Sequence, residues 1–257
     1  MTTVLVPPTA LSWEQKIAYD TNGYLVFENF LSANELSELS AAFDCAYKRW
    51  EADTSLPGTR KPNERQILGI IEYNDIFLHL LAHSRMFPIV RELVGDDISM
   101  VDNDGHVKPG DSVSHISWHH DVAQRGVYHP MSTLMVKVFY LLTDTEPNGG
   151  VTAFMPGSHR YPDGYPFPQV ENPEEMPGHV RMSHKAGTAY LFNGRVYHAA
   201  FNNYTANDRK AIIMNYGHFW MKPWAGYEPS EALKTKAHTP ELRQLLHIGD
   251  AYTQALS

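Results

Sequence analysis

Trp118-His119-His120-Asp121 holds the chain's single H-x-D triplet, His119 to Asp121. On an extended strand, side chains two positions apart point the same way, so an imidazole and a carboxylate at this spacing can share one ion. A second histidine from elsewhere would complete two imidazoles and one carboxylate on one face of a metal. That donor set is the facial triad of non-haem iron sites, which leaves positions open for a cosubstrate and O2. Alone the triplet says little, because 14 histidines and 29 acidic residues make chance occurrences easy.

Eight histidines lie well downstream: His129, His159, His179, His184, His198, His218, His238 and His247. His198 sits in Val196-Tyr197-His198-Ala199-Ala200, a strand pattern after the turn Asn193-Gly194, and Arg209 opens the next alternating segment. Two neighbouring antiparallel strands could bring His198 to the metal and place the Arg209 guanidinium deeper, where its planar fork suits a carboxylate. His184 and Arg195 have the same separation. Both fall in turn-like stretches, however, and strand placement favours His198 and Arg209.

The elements that must position these groups change character along the chain. Helix, strand, helix is the reading of the first fifty residues, over 12–19, 23–27 and 33–50, with Ser32 and Glu35 as a capping box. Residues 52–64 read as a loop. A further helical pattern runs from Asp75 to Val94, which Pro88 should kink or split. From Ile98 onward short alternating segments take over, at 99–107, 115–121, 134–143, 151–155, 188–192, 196–201 and 211–217. The expectation is a mainly β protein with flanking helices, an α+β chain built on a jelly roll, in one domain over 1–257. Within it a helical segment (1–97) packs on a core (98–220), with a C-terminal extension (221–257). The proline-rich excursion 161–182 has the length of a lid.

Composition narrows the partners. Twenty-one basic against twenty-nine acidic side chains give a net charge of −8, with no Lys/Arg cluster for a phosphate backbone, so nucleic acid is not expected. The longest apolar runs are too short to span a bilayer, and the N-terminus lacks a signal-peptide pattern. One cysteine, Cys45, fits a reducing compartment, with the cytoplasm as default and burial among helical neighbours as its role.

Asn22-Gly23-Tyr24-Leu25-Val26, Trp118 to Asp121, the run from Asn148-Gly149-Gly150 to Pro156-Gly157-Ser158-His159, and Tyr197-His198 followed by Arg209 stand in an order and spacing that resembles the phytanoyl-CoA dioxygenase family, over roughly residues 14–220. The resemblance implies a cupin-like double-stranded β-helix, Fe(II) held by His119, Asp121 and His198, 2-oxoglutarate anchored by Arg209, and O2 as co-reactant. By the same resemblance Thr152 would hydrogen-bond the cosubstrate, Phe139 stands where many members carry tryptophan, and Gln66 loosely matches another polar contact. Ala211 departs from a serine that often assists the arginine. Some relatives lack the carboxylate ligand and halogenate; Asp121 favours oxygenation.

The function expected is oxidation of a small polar or amino-acid-like metabolite, of the kind found in specialised metabolism, with 2-oxoglutarate converted to succinate and CO2. A zinc hydrolase using the same three ligands, or a non-catalytic jelly-roll binding module, are the alternatives. His120 should point away from the metal, and His159 reads as a turn residue. Lys137 could pair with an acid in the pocket or snorkel to an edge. Tyr128, Trp220, Trp224 and Tyr227 read as core or as the surface of a homodimer more than as substrate walls.

Overall fold

Ser12 and Ser32 start the first two helices in the same way. Each hydroxyl accepts from the backbone N–H three residues on, and the Gln15 or Glu35 side chain there accepts from the serine N–H. These boxes begin α1 (Trp13–Asn22) and α2 (Ala33–Ala52). α1 ends at Gly23, whose φ of 84° is a left-handed cap; a Cβ there would meet His159 Nδ1 at 2.5 Å. β1 (Tyr24–Phe27) joins the two helices. The structure, a computed structural model, describes residues 10–122, 132–162 and 164–249.

Two expectations change in the next stretch. Part of the supposed loop 52–64 is strand: β2 (Gly58–Lys61) turns back into β3 (Glu64–Leu68). β2 has no apolar alternation because it is an edge strand with no buried face, so the periodicity that marks strands is absent. The pattern 75–94 is two helices, α3 (Asp75–Leu81) and α4 (Met86–Val94). The break precedes Pro88, which occupies the first turn of α4, where its missing N–H forfeits no helical bond.

The remaining strands are β4 (Ile98–Lys108), β5 (Ile116–His119), β6 (Met135–Leu141), β7 (Thr152–Phe154), β8 (Val180–Arg181), β9 (Ala189–Asn193), β10 (His198–Ala200) and β11 (Arg209–His218), followed by the short helices α5 (Glu231–Lys234) and α6 (Pro240–Leu245). They form a seven-stranded antiparallel sheet, β1-β9-β6-β11-β4-β3-β2, and a four-stranded one, β5-β10-β7-β8. The helices cover one face of the large sheet, where Val136, Val138, Ile212, Met214 and Tyr216 join the helical core. On its other face Phe139, Leu141, Tyr190 and Phe192 pack with Phe154 of the small sheet. The fold is the double-stranded β-helix, a jelly roll with its chemistry between the sheets.

β4 changes phase along its length. Ile98 and Met100 belong to the helical core, whereas further on Val107 does, Gly105 lies under Ile70 and Phe43, and Asn103 Oδ1 accepts from Ile71 N. The switch coincides with a bulge: Asn215 pairs with Asp102 but Tyr216 with Met100, leaving Val101 as the extra residue. Past it Asp102, Asp104, His106 and Lys108 all face inward.

The excursion 161–182 is not a lid over the mouth. It packs on the outer face of the small sheet, where Trp118 Nε1 donates to Pro173 O at 2.8 Å, Met176 joins the Trp118, Ala199 and Phe201 cluster, and Phe167 stacks on Tyr197. Trp118 of β5 and the two aromatics that flank β10, Tyr197 and Phe201, need this cover. Cys45 is exposed rather than buried, on the solvent face of α2. Among the described residues no helix is long and apolar enough to cross a membrane. Tyr128 and His129 lie outside the described residues.

Candidate active site

His119 and His198 are brought together by strand register. β5 and β10 run antiparallel with these two residues directly opposite, and their rings lie 4.2 Å apart between centroids. Each ring is oriented by its own strand: His119 Nδ1 donates to Ser117 O at 2.8 Å and His198 Nδ1 to Val196 O at 2.9 Å. With that nitrogen carrying the proton, Nε2 is the free lone pair on each ring. Both Nε2 atoms point at one carboxylate, His119 at 3.7 Å from Asp121 Oδ1 and His198 at 3.7 Å from Oδ2.

Asp121 does not sit on the strand that the triplet predicts. β5 ends at His119, and Asp121 is carried by the bend beyond it. The Asn193-Gly194 turn holds the bend, since Asp121 N and Val122 N both donate to Gly194 O, at 3.0 and 3.3 Å. A Cβ on Gly194 would come within 2.7 Å of Val122, so only glycine permits this approach. Ligand atoms of His119, Asp121 and His198 lie within 4.8 Å of one another.

The electrostatics suit a cation. Burial would raise the Asp121 carboxyl, but Lys137, His198 and His119 outweigh it and hold the group down to about 2. Burial, with smaller contributions from His119 and Lys137 against the opposing pull of Asp121, keeps His198 unprotonated down to about 3. Asp121 Oδ2 is buried without an aligned hydrogen bond, although Lys137 Nζ stands 2.9 Å away as an ion pair. Two lone pairs and an underused carboxylate oxygen around one point are what a divalent metal needs.

Arg209, the first residue of β11, is 7% exposed. Its Nη2 donates to the Thr152 and Tyr190 hydroxyls at 3.4 Å each, long contacts, and Nε is buried with no partner among the described residues. A buried guanidinium held so loosely is short of a carboxylate. Tyr190 also donates to Thr152 at 3.1 Å, and Phe139 stacks on Tyr190 with centroids 4.8 Å apart and the rings 15° from parallel. Thus Thr152 and Phe139 stand beside Arg209. Tyr190 was not singled out from sequence; it supplies a hydroxyl where Ala211 supplies none.

The other sequence candidates take different places. His120 Nδ1 donates to Arg195 O at 2.7 Å and its ring packs on Tyr197, facing away from the ligand cluster. Arg195, 2% exposed, is deeply buried although it lies in a turn, and it donates to the His159 and Tyr161 carbonyls. His184 faces Glu28 at 3.5 Å. Gln66 donates to Asp104 Oδ2 at 2.8 Å. Trp224 lies under the Lys137 ammonium, 5.1 Å from centroid to Nζ, while the Tyr227 hydroxyl is tied to Glu72. Trp220 is 54% exposed. His106 is a further addition: burial first, then Arg209 and Lys137, keep it neutral down to about 3.

Fold, ligand cluster and buried arginine together describe a non-haem iron dioxygenase that consumes 2-oxoglutarate. The model of the phytanoyl-CoA dioxygenase family matches residues 19–211, and the chain belongs to that family. Ectoine dioxygenase from Sphingopyxis alaskensis is 26% identical over 231 residues, covering 80% of this chain and 76% of that protein. The corresponding enzyme from Stutzerimonas stutzeri is 25% identical over 229 residues, covering 78% and 74%. Among solved structures, EctD from S. alaskensis with 2-oxoglutarate and 5-hydroxyectoine superposes with a TM-score of 0.70 at 25% identity, over 89% of this chain and 87% of that one. HygX from Streptomyces hygroscopicus with nickel and 2-oxoglutarate shares the fold, with a TM-score of 0.67 at 20% identity over 91% and 94%.

Proposed function

We propose that this dioxygenase holds Fe(II) on His119 Nε2, His198 Nε2 and the Asp121 carboxylate, and that Arg209 anchors the distal carboxylate of 2-oxoglutarate. The observation that carries the reading is the pairing of a convergent ligand cluster with a buried arginine that has no charge partner among the described residues. Iron bound there supplies oxidation of a substrate C–H bond by O2, with succinate and CO2 as the products of 2-oxoglutarate.

The chain's own residues do the positioning. Carbonyls of Ser117 and Val196 lock the imidazole tautomers, so no reorganisation is needed when the metal arrives. Thr152 and Tyr190 steer the guanidinium, and Phe139 walls the cosubstrate's path between Arg209 and the ligands. Lys137, bonded to Asp121 and resting over the Trp224 ring, stands on the side of the cluster where we place the substrate. That substrate is a small polar or amino-acid-like metabolite, and ectoine, named in the relatives, is the first compound to assay.

Anaerobic addition of Fe(II) and 2-oxoglutarate should produce a weak visible metal-to-ligand charge-transfer band, lost in His198→Ala. No band, with full turnover supported by zinc, would transfer the site to the hydrolases. We also read the protein as cytoplasmic, in one domain, and as a homodimer through faces such as exposed Trp13 and Ile17; light scattering of the purified chain tests the dimer.

A further inference from the structure

β4 presents two carboxylates to the interior, Asp102 and Asp104, on the sheet face that carries Lys137, Asn215 and Arg209. Asn215 stands directly between Lys137 on β6 and Asp102 on β4, so the pair lies two strands over from the lysine that touches Asp121. Asp104 is 2% exposed and Asn215 1%. Their bonding is incomplete. Gln66 Nε2 donates to Asp104 Oδ2 at 2.8 Å, Asn215 Nδ2 to Asp102 Oδ2 at 3.2 Å, and His106 Nε2 is 3.6 Å from Asp104 Oδ2. Asp104 Oδ1 and Asn215 Oδ1 are buried with no partner among the described residues.

Every aligned donor to the pair is neutral. Lys137 is committed at 2.9 Å to Asp121, and Lys108, further along β4, donates to Ser114 O. A buried and a half-buried carboxylate side by side without a bonded cation are expensive, and a chain that keeps them there has a compensating charge to bring in. Once iron offsets Asp121 and, with Arg209, balances the two carboxylates of 2-oxoglutarate, the pair outnumbers the single Lys137 ammonium. The Lys108 ammonium lies at the other end of this face, opposite Arg209, so at the pair's own end two carboxylates meet one cation.

We infer that Asp102, Asp104 and the Asn215 carbonyl receive a cationic nitrogen of the substrate, an ammonium, amidinium or guanidinium group, so that the substrates are small basic or zwitterionic metabolites. This rests on the oxygenase reading above and narrows it. A cationic N–H donor supplies both the charge and the hydrogen bonds that the free oxygens lack, which a neutral hydroxyl or amide cannot. In the empty pocket a proton takes the cation's place: burial and the adjacent Asp104 push the Asp102 carboxyl up to about 8, against the pull of Lys137. The groups facing the pair are Lys137, Asn215, Gln66 and His106, with Lys108 and Arg209 further along the same face.

The full chain, loaded anaerobically with Fe(II) and 2-oxoglutarate, is first checked for its charge-transfer band; its absence would overturn the oxygenase reading and this assignment with it, whereas the outcomes below, read with the band present, bear on this assignment alone. With the band in place, basic amino acids, diamines, cyclic amidines and guanidines are titrated, each paired with its N-acylated or hydroxyl counterpart. At least one basic member should perturb the band while its counterpart does not. Asp102→Asn and Asp104→Asn should each weaken that binding by about 10- to 100-fold, the scale of a hydrogen bond to a charged group, with the band still formed. Affinity in the parent chain should also rise between pH 7 and 9 as the shared proton leaves, and stay flat in Asp102→Asn. Equal binding of a neutral counterpart, undiminished binding in both variants, or silence from the whole basic set over a normal band would each overturn the assignment.

Discussion

The two faces of the large sheet carry opposite kinds of residue on the same strands. Toward the helices β6, β11 and β4 present Val136, Val138, Ile212, Met214 and Val107, packed without a charge between them. Toward the small sheet, on the opposite parity of the same strands, stand Lys137, Phe139, Arg209, Asn215, Asp104 and His106. Phe139, Arg209, Asn215 and Asp104 are as closed to solvent as the residues under the helices, with Lys137 and His106 half-buried, so exposure alone does not separate structure from chemistry here. What separates them is the kind of group left short of a bond among the described residues: on the helix face a phenol hydroxyl, that of Tyr140, and on the inner face a guanidinium nitrogen of Arg209 with acceptor oxygens of Asp104 and Asn215. The difference teaches that stability and reactivity are assigned by the parity of residue number within a strand.

Substitutions on each side test this division. The largest effect belongs to the ligands: His198→Ala should reduce 2-oxoglutarate-coupled turnover by about a thousandfold or more, as expected when one member of an interdependent set is lost, while the far-ultraviolet circular dichroism stays that of the parent. Unfolding instead of inactivation would erase the comparison. Next, Arg209→Gln should raise the KM for 2-oxoglutarate by about 100-fold, the cost of truncating one partner of a buried charge pair, with the iron affinity of the cosubstrate-free chain retained. If KM for the substrate moved and that for 2-oxoglutarate did not, Arg209 would be a substrate residue.

The helix face should respond in the reverse sense. A Cβ at Gly105 would stand 2.5 Å from Ile70 Cδ1 and 2.9 Å from Phe43, so Gly105→Ala should cost about 1–3 kcal/mol and several degrees in Tm without changing either KM. A changed KM would mean the two faces are mechanically coupled. Smallest of all, Thr152→Val removes one weak partner of Arg209 and should raise the KM for 2-oxoglutarate by about 2- to 10-fold in steady-state assays.

Much of this was legible from sequence, and for a physical reason. Turn glycines, capping boxes and apolar alternation are local signals, and they located α1, α2 and the strands around His119, Thr152, His198 and Arg209. Asp121 was found for a reason the structure revises: the H-x-D spacing placed it on a strand, whereas it reaches the cluster on a bend pinned by Gly194. β2 was missed because an edge strand with no buried face has no periodic pattern to read. The polar wall of β4 was invisible in another way. Asp102-Asn103-Asp104-Gly105-His106 alternates as a solvent-facing strand would, and only the sheet order, with β3 on one side and β11 on the other, shows it to be interior.

Val101 gives the molecule a freedom that a regular strand would not have. Because one residue is inserted there, the stretch ahead of it, anchored by Gln244 to the carbonyls of Asp96 and Ile98, is out of step with the stretch behind it. The rear stretch can therefore change its inward side chains without disturbing how the front stretch docks on α6. Deleting Val101 would rotate the polar row into the hydrocarbon beneath the helices. Retaining it leaves positions 102, 104 and 106 as an exchangeable panel, where descendants of one scaffold could acquire new tastes while inheriting the same iron.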